Sequence, residues 1–98
     1  MSNEEFIEPL SRLPDEVADA LYAWRKAKAE REKIMGITFL NYRGDSEKRT
    51  VSEIDALVDS NDGCYKAKLY EAVAEAQYTR LIEKLYAIKR AASLRAAF

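Results

Sequence analysis

Helix-breaking residues are scarce in this chain, with three glycines and two prolines in 98 residues. A fold of many short strands needs frequent turns, and turns draw on Gly, Pro, Asn and Asp for their special backbone angles. So few breakers favour long, uninterrupted helices. Hydrophobic residues make up 48% and charged residues 34% of the chain, which takes it out of the range of disordered composition. The length suits one domain, expected over 1–98.

Residues 1–12 are mixed and acidic. Phe6, Ile7 and Leu10 are candidates for a short turn that packs on the body. The Leu13-Pro14-Asp15-Glu16 stretch reads as the opening of a first long helix over 13–42. Proline is tolerated in a first turn, and Asp15, Glu16 and Asp19 suit the positive end of the helix dipole. The expected core stripe is Val17, Leu21, Trp24, Ala27, Ile34 and Met35, continuing through Thr38, Phe39 and Tyr42. Gly36 is the one place where this helix has an early stop to offer. Residues 43–49 read as a charged loop.

Thr50-Val51-Ser52-Glu53 has the spacing of a capping box, so a short helix is expected over 50–59, with Val51, Ile54, Leu57 and Val58 on one face. Ser60-Asn61-Asp62-Gly63 breaks it, with Asp62 expected to cap a third helix over 62–94. That helix carries Leu69, Val73, Ala76, Leu81, Leu85, Ile88 and Ala92, with Tyr65, Tyr70, Tyr78, Ile82 and Tyr86 widening the stripe. The fold class expected is all-α, an antiparallel long-helix hairpin with a short capping helix in the connection. So broad a stripe exceeds what one partner helix covers. Completion by oligomerisation is therefore expected, with Tyr70, Tyr78, Leu81, Leu85 and Ile88 at the interface.

The chemistry available is narrow. There is no histidine and a single cysteine, Cys64, so imidazole acid–base catalysis and a Cys/His zinc site within one chain are excluded. The glycines stand apart and form no phosphate loop. Asp59, Asn61 and Asp62 lack the spacing and terminal Glu of a calcium loop. No cofactor, metal or catalytic residue is assigned, and the expectation is a non-enzyme. Cys64 reads as a small residue near a cap. The lone thiol and the lack of a leader or membrane-length apolar run fit a cytoplasmic protein with no membrane partner.

Charge alternates by segment although the net is only −1: −5 over 1–20, +4 over 21–50, −4 over 51–78 and +4 over 79–98. In an antiparallel hairpin this sets the acidic start of the first helix beside the basic end of the third. A sharper reading takes Arg25, Lys26, Lys28, Arg31 and Lys33, with Arg43, Lys48 and Arg49, as a phosphate-binding set, with Tyr22 and Trp24 available for stacking.

The order of segments, a helix rich in Ala, Glu and Lys, then "RTVSEIDALVDS", then "YKAKLYEAVAEAQYTRLIEKLYAIKRAAS", resembles small helical proteins of bacteriophages and prophages, often encoded among replication and recombination genes. The matching positions are Thr50, Val51, Glu53, Ala56, Leu57, Val58, Tyr65, Glu71, Ala72, Glu75, Tyr78, Leu85 and Lys89. The likeness runs from about Asp15 to Ser93, with Gly36 and the Asn61-Asp62-Gly63 break as departures. It implies a phage setting more than an activity, and the first expectation drawn from the chain as a whole is a non-enzymatic phage accessory protein of DNA metabolism in the host cytoplasm. Such a protein would self-associate and bind single-stranded DNA, or a replication or recombination protein loaded on it. The alternatives are a protein-binding inhibitor of a host defence complex, of the anti-CRISPR kind, and a structural helper in phage assembly.

Overall fold

The computed structural model describes the backbone of residues 4–45 and 47–97, and side chains over 11–45 and 47–96. Three helices follow in order: α1 (Glu4–Arg43), α2 (Val51–Ser60) and α3 (Asp62–Ala97), with no strand among the described residues. This is the all-α helical hairpin with a short helix in its connection.

The described residues divide into two compact units. One combines α1 through Trp24 with α3 from Ala74, and the other is Arg25–Val73. In the first unit, Leu13, Val17 and Leu85 are buried together, with Tyr78, Leu81, Ile82 and Ile88 packed against them. Trp24 stacks on Tyr78 with ring centroids 5.4 Å apart. Partners on α3 fall in number as α1 advances, so the two helices run antiparallel. In the second unit, Ile54 and Val58 of α2 and Cys64 of α3 form the buried cluster, covered by Met35, Phe39 and Tyr42 of α1.

The first helix starts at Glu4 rather than Leu13 and contains both prolines. A proline inside a helix removes one i→i−4 bond and crowds the preceding turn, at a cost of about 3 kcal/mol. Leu13 and Val17 lie on either side of Pro14 and both are buried. Their removal from water, about 1.5–3 kcal/mol each, holds the helix through the proline. The side chains of Phe6, Ile7 and Leu10 lie outside the described residues.

Gly36 does not stop α1, and a methyl group built on it meets nothing within 4 Å. The inner stripe of α1 is Trp24, Ala27, Arg31, Met35, Thr38, Phe39 and Tyr42, all half-buried. Ile34, expected in it, is exposed, and Arg31 takes the inward position. Counting about 3.6 residues per turn from Trp24 arrives at 31 and 35, so geometry outranks side-chain polarity here. Arg31 satisfies its charge there by pairing with Glu71 of α3 through Nε, with Nη2 at 3.5 Å from Oε1 and Nη1 at 3.6 Å from the Met35 sulfur.

Ten residues are too few for a stable isolated helix in water, so α2 depends on its ends and its buried face. Thr50 caps it, its hydroxyl accepting from the Glu53 N–H at 3.2 Å. At the other end a single extended residue, Asn61, separates α2 from α3. Its N–H donates to the Val58 carbonyl at 3.1 Å and closes α2. Its side-chain oxygen accepts from the Cys64 N–H at 3.1 Å and opens α3. The cap of α3 is therefore Asn61 and not Asp62. The cap must sit in the extended region, whereas Asp62 is already helical and places its charge in the first turn.

Two stability predictions follow from these positions. Gly36→Ala raises stability by about 1 kcal/mol, because it removes backbone entropy from the unfolded chain and fills open space; a urea melt reads it. Asn61→Ala costs about 1 kcal/mol or somewhat more, and Asp62→Ala only a few tenths, in the same melt.

Candidate interaction surfaces

The eight basic residues singled out in the sequence separate into two groups. Arg31 and Arg49 are committed inside the chain. Arg31 belongs to the α1–α3 seam of the second unit. Arg49 ties down the loop after α1: Nη1 donates to the Tyr42 carbonyl at 3.2 Å and to Asp45 at 3.1 Å, and Nη2 to Glu47 at 3.1 Å. Its guanidinium also lies 5.6 Å from the centre of the Tyr42 ring. The Tyr42 hydroxyl in turn accepts from Asn61 Nδ2 at 3.5 Å. Tyr42 thus joins the end of α1, the loop and the α2–α3 joint.

The other six, Arg25, Lys26, Lys28, Lys33, Arg43 and Lys48, are exposed. With about 100° between successive residues, Arg25, Lys26, Lys28, Lys33 and Arg43 fall on an arc of roughly 160° centred about 120° from the inner stripe, with Lys28 at the edge that adjoins Phe39. They span about 27 Å along the axis. Glu32 is the acid inside that arc, and Glu30 lies just beyond its edge. Trp24 is not available for stacking on a base. It is half-buried against Tyr78, and its indole N–H is buried without a partner. Tyr22 is 70% exposed.

The residues expected at an oligomer interface also separate. Leu85 is in the buried core of the first unit, and Tyr78, Leu81 and Ile88 pack on it. These four fill the intrachain seam, because the α3 stripe is consumed first by its own α1. Tyr70 is different: it is 73% exposed. Around it the second unit presents two neighbouring hollows that share Lys66 and Tyr70. One, of about 190 Å³, includes Ala27, Glu30 and Ile34 of α1. The other, of about 340 Å³, includes Leu69 and Val73 of α3. Leu69 is 47% and Val73 68% exposed. The sequence carried a signal for this surface, since at about 100° per residue Leu69, Tyr70 and Val73 share one arc centred roughly 140° from the Cys64–Ala67–Glu71 line that faces α1.

Cys64 is fully buried at the start of α3, where it acts as a small core residue. Among the described residues no group of three or more His, Cys, Asp or Glu is placed to hold a metal ion. No helix of the described residues is long and apolar enough to cross a membrane. No protein-family model matches the chain, and no curated protein or solved structure matches it.

The split among the bases is testable. Arg49→Ala lowers stability by about 1–2 kcal/mol, since it releases a carbonyl and two carboxylates that one half-buried guanidinium satisfies. Lys48→Ala, one residue away and exposed, leaves the urea midpoint unchanged within error.

Proposed function

We propose that this chain is a non-enzymatic accessory protein of phage DNA metabolism that works as an oligomer and engages single-stranded DNA through the outer side of α1. The observation that supports this reading most is the arc of exposed bases, Arg25, Lys26, Lys28, Lys33 and Arg43, with Glu32 as the one acid among them. A strand laid along it would meet five cations that no folding contact of the described residues consumes. The DNA setting rests on the likeness of the "RTVSEIDALVDS" region and the Ala/Glu/Tyr helix to small helical phage proteins often encoded among replication and recombination genes.

Phosphate binding of this kind is sequence-tolerant and releases counterions. With about four to five phosphates engaged, the slope of log affinity against log salt is roughly −3. A second reading draws on Ile37 and Leu40, which are 49% and 62% exposed. Apolar residues at this density suit a protein partner, either a recombination or replication protein already on DNA or a host defence complex.

The test is a titration of labelled single-stranded DNA by anisotropy at low and moderate salt. Saturable binding with a slope near −3 is expected, and Lys26→Glu with Lys33→Glu should weaken it about tenfold or more while the helical circular-dichroism signal stays intact. Absence of binding at low salt sinks the DNA reading and directs the search to protein partners, whose affinity would change little with salt.

A further inference from the structure

We propose that a second copy of this chain docks on the side of the second unit formed by Ile34, Leu69, Tyr70 and Val73, with Glu30 of one copy meeting Lys66 of the other. The inference rests on the oligomeric part of the reading above and names its surface. It makes no use of the DNA-facing arc, which lies on a different side of α1.

Two observations select a second copy as the occupant. The first is charge. Glu30 and Lys66 line the same hollow, both are exposed, and neither makes an ion pair with a described residue. One acid and one base framing an apolar patch are complementary to the same patch rotated by a two-fold axis. In such an interface residue i meets j and j meets i, so each copy supplies both halves of two equivalent pairs. A partner carrying one sign of charge would leave one of the two unanswered. With a net charge of −1, two copies also repel each other little.

The second is the apolar patch itself: Ile34, Leu69, Tyr70 and Val73 are 38%, 47%, 73% and 68% exposed around the two neighbouring hollows, and a contiguous exposed apolar patch of this kind marks a protein interface. Tyr70, at 73% exposure, is the kind of rigid aromatic anchor on which binding energy concentrates.

The test is the dimer dissociation constant from sedimentation equilibrium, for the wild type and four variants: Glu30→Lys, Lys66→Glu, the two reversals combined in one chain, and Tyr70→Ala. Each single reversal places like charges across the two-fold and should weaken association about tenfold or more. Combined, they rebuild the pair with its signs exchanged and should return the constant to within about threefold of the wild type. Tyr70→Ala should weaken association about tenfold or more as well. All three positions are exposed, and thermal melts by circular dichroism check that the fold is unchanged. A wild type that stays monomeric at high concentration overturns both the inference and the oligomeric reading. A wild-type dimer that tolerates each single reversal overturns this surface alone. Single reversals that disrupt without rescue in the combined variant overturn the Glu30–Lys66 pairing.

Discussion

Burial along a narrow antiparallel seam is the interaction on which this protein depends. In the first unit it is Leu13, Val17, Ala20 and Trp24 against Tyr78, Leu81, Leu85 and Ile88. In the second unit α2 supplies the buried apolar mass, and Ile54, Val58 and Cys64 fill the space that Met35, Phe39 and Tyr42 leave beside α1. Two helices alone expose too much of each other's flanks to exclude water. The short helix is therefore part of the core of its unit and not an ornament of the connection.

The same constraint explains the polar residues found at half-buried positions. Arg31 stands where the helical period requires an inward residue, and its aliphatic stem fills that place while its head group is answered by Glu71. Arg49 does for the loop what a hydrophobic residue would do in a larger protein, gathering a carbonyl, two carboxylates and a ring around one cation. Both arginines are recruited because the chain is short of apolar mass at the points where its elements meet. Arg25, Lys26, Lys28, Lys33 and Arg43 stand at positions on α1 that give them no partner among the described residues.

Much of this was legible in the sequence. Thr50 and Glu53 announced a helix start by their spacing, and the Thr50 hydroxyl makes that bond. Scarce breakers and Ala-rich stretches announced the long helices. Three things escaped for physical reasons. Pro14 signals a helix start when judged locally, but the burial of its neighbours Leu13 and Val17 overrides it. Arg31 is hidden by the more hydrophobic Ile34, because polarity and angular position favour different residues at that turn. Asn61 and Asp62 are both good caps by composition, and only the backbone angles distinguish them: Asn61 is extended at φ −71° and ψ 129°. The candidate interaction surfaces were less accessible still. Whether a base is free or engaged depends on partners distant in sequence, such as Glu71 for Arg31.

The joint at Asn61 also sets the phase of α3. A single residue ends one helix and begins the next, so no slack exists to absorb a change in length there. Adding or removing one residue would turn α3 by about 100°, carrying Cys64, Ala67 and Glu71 out of the seam and bringing Tyr65 or Lys68 toward α1. The loop before α2, anchored by one arginine rather than by a shared residue, imposes no such condition. Variation in chain length among proteins built on this plan should therefore accumulate between Gly44 and Arg49, while the spacing from Val58 to Cys64 stays constant.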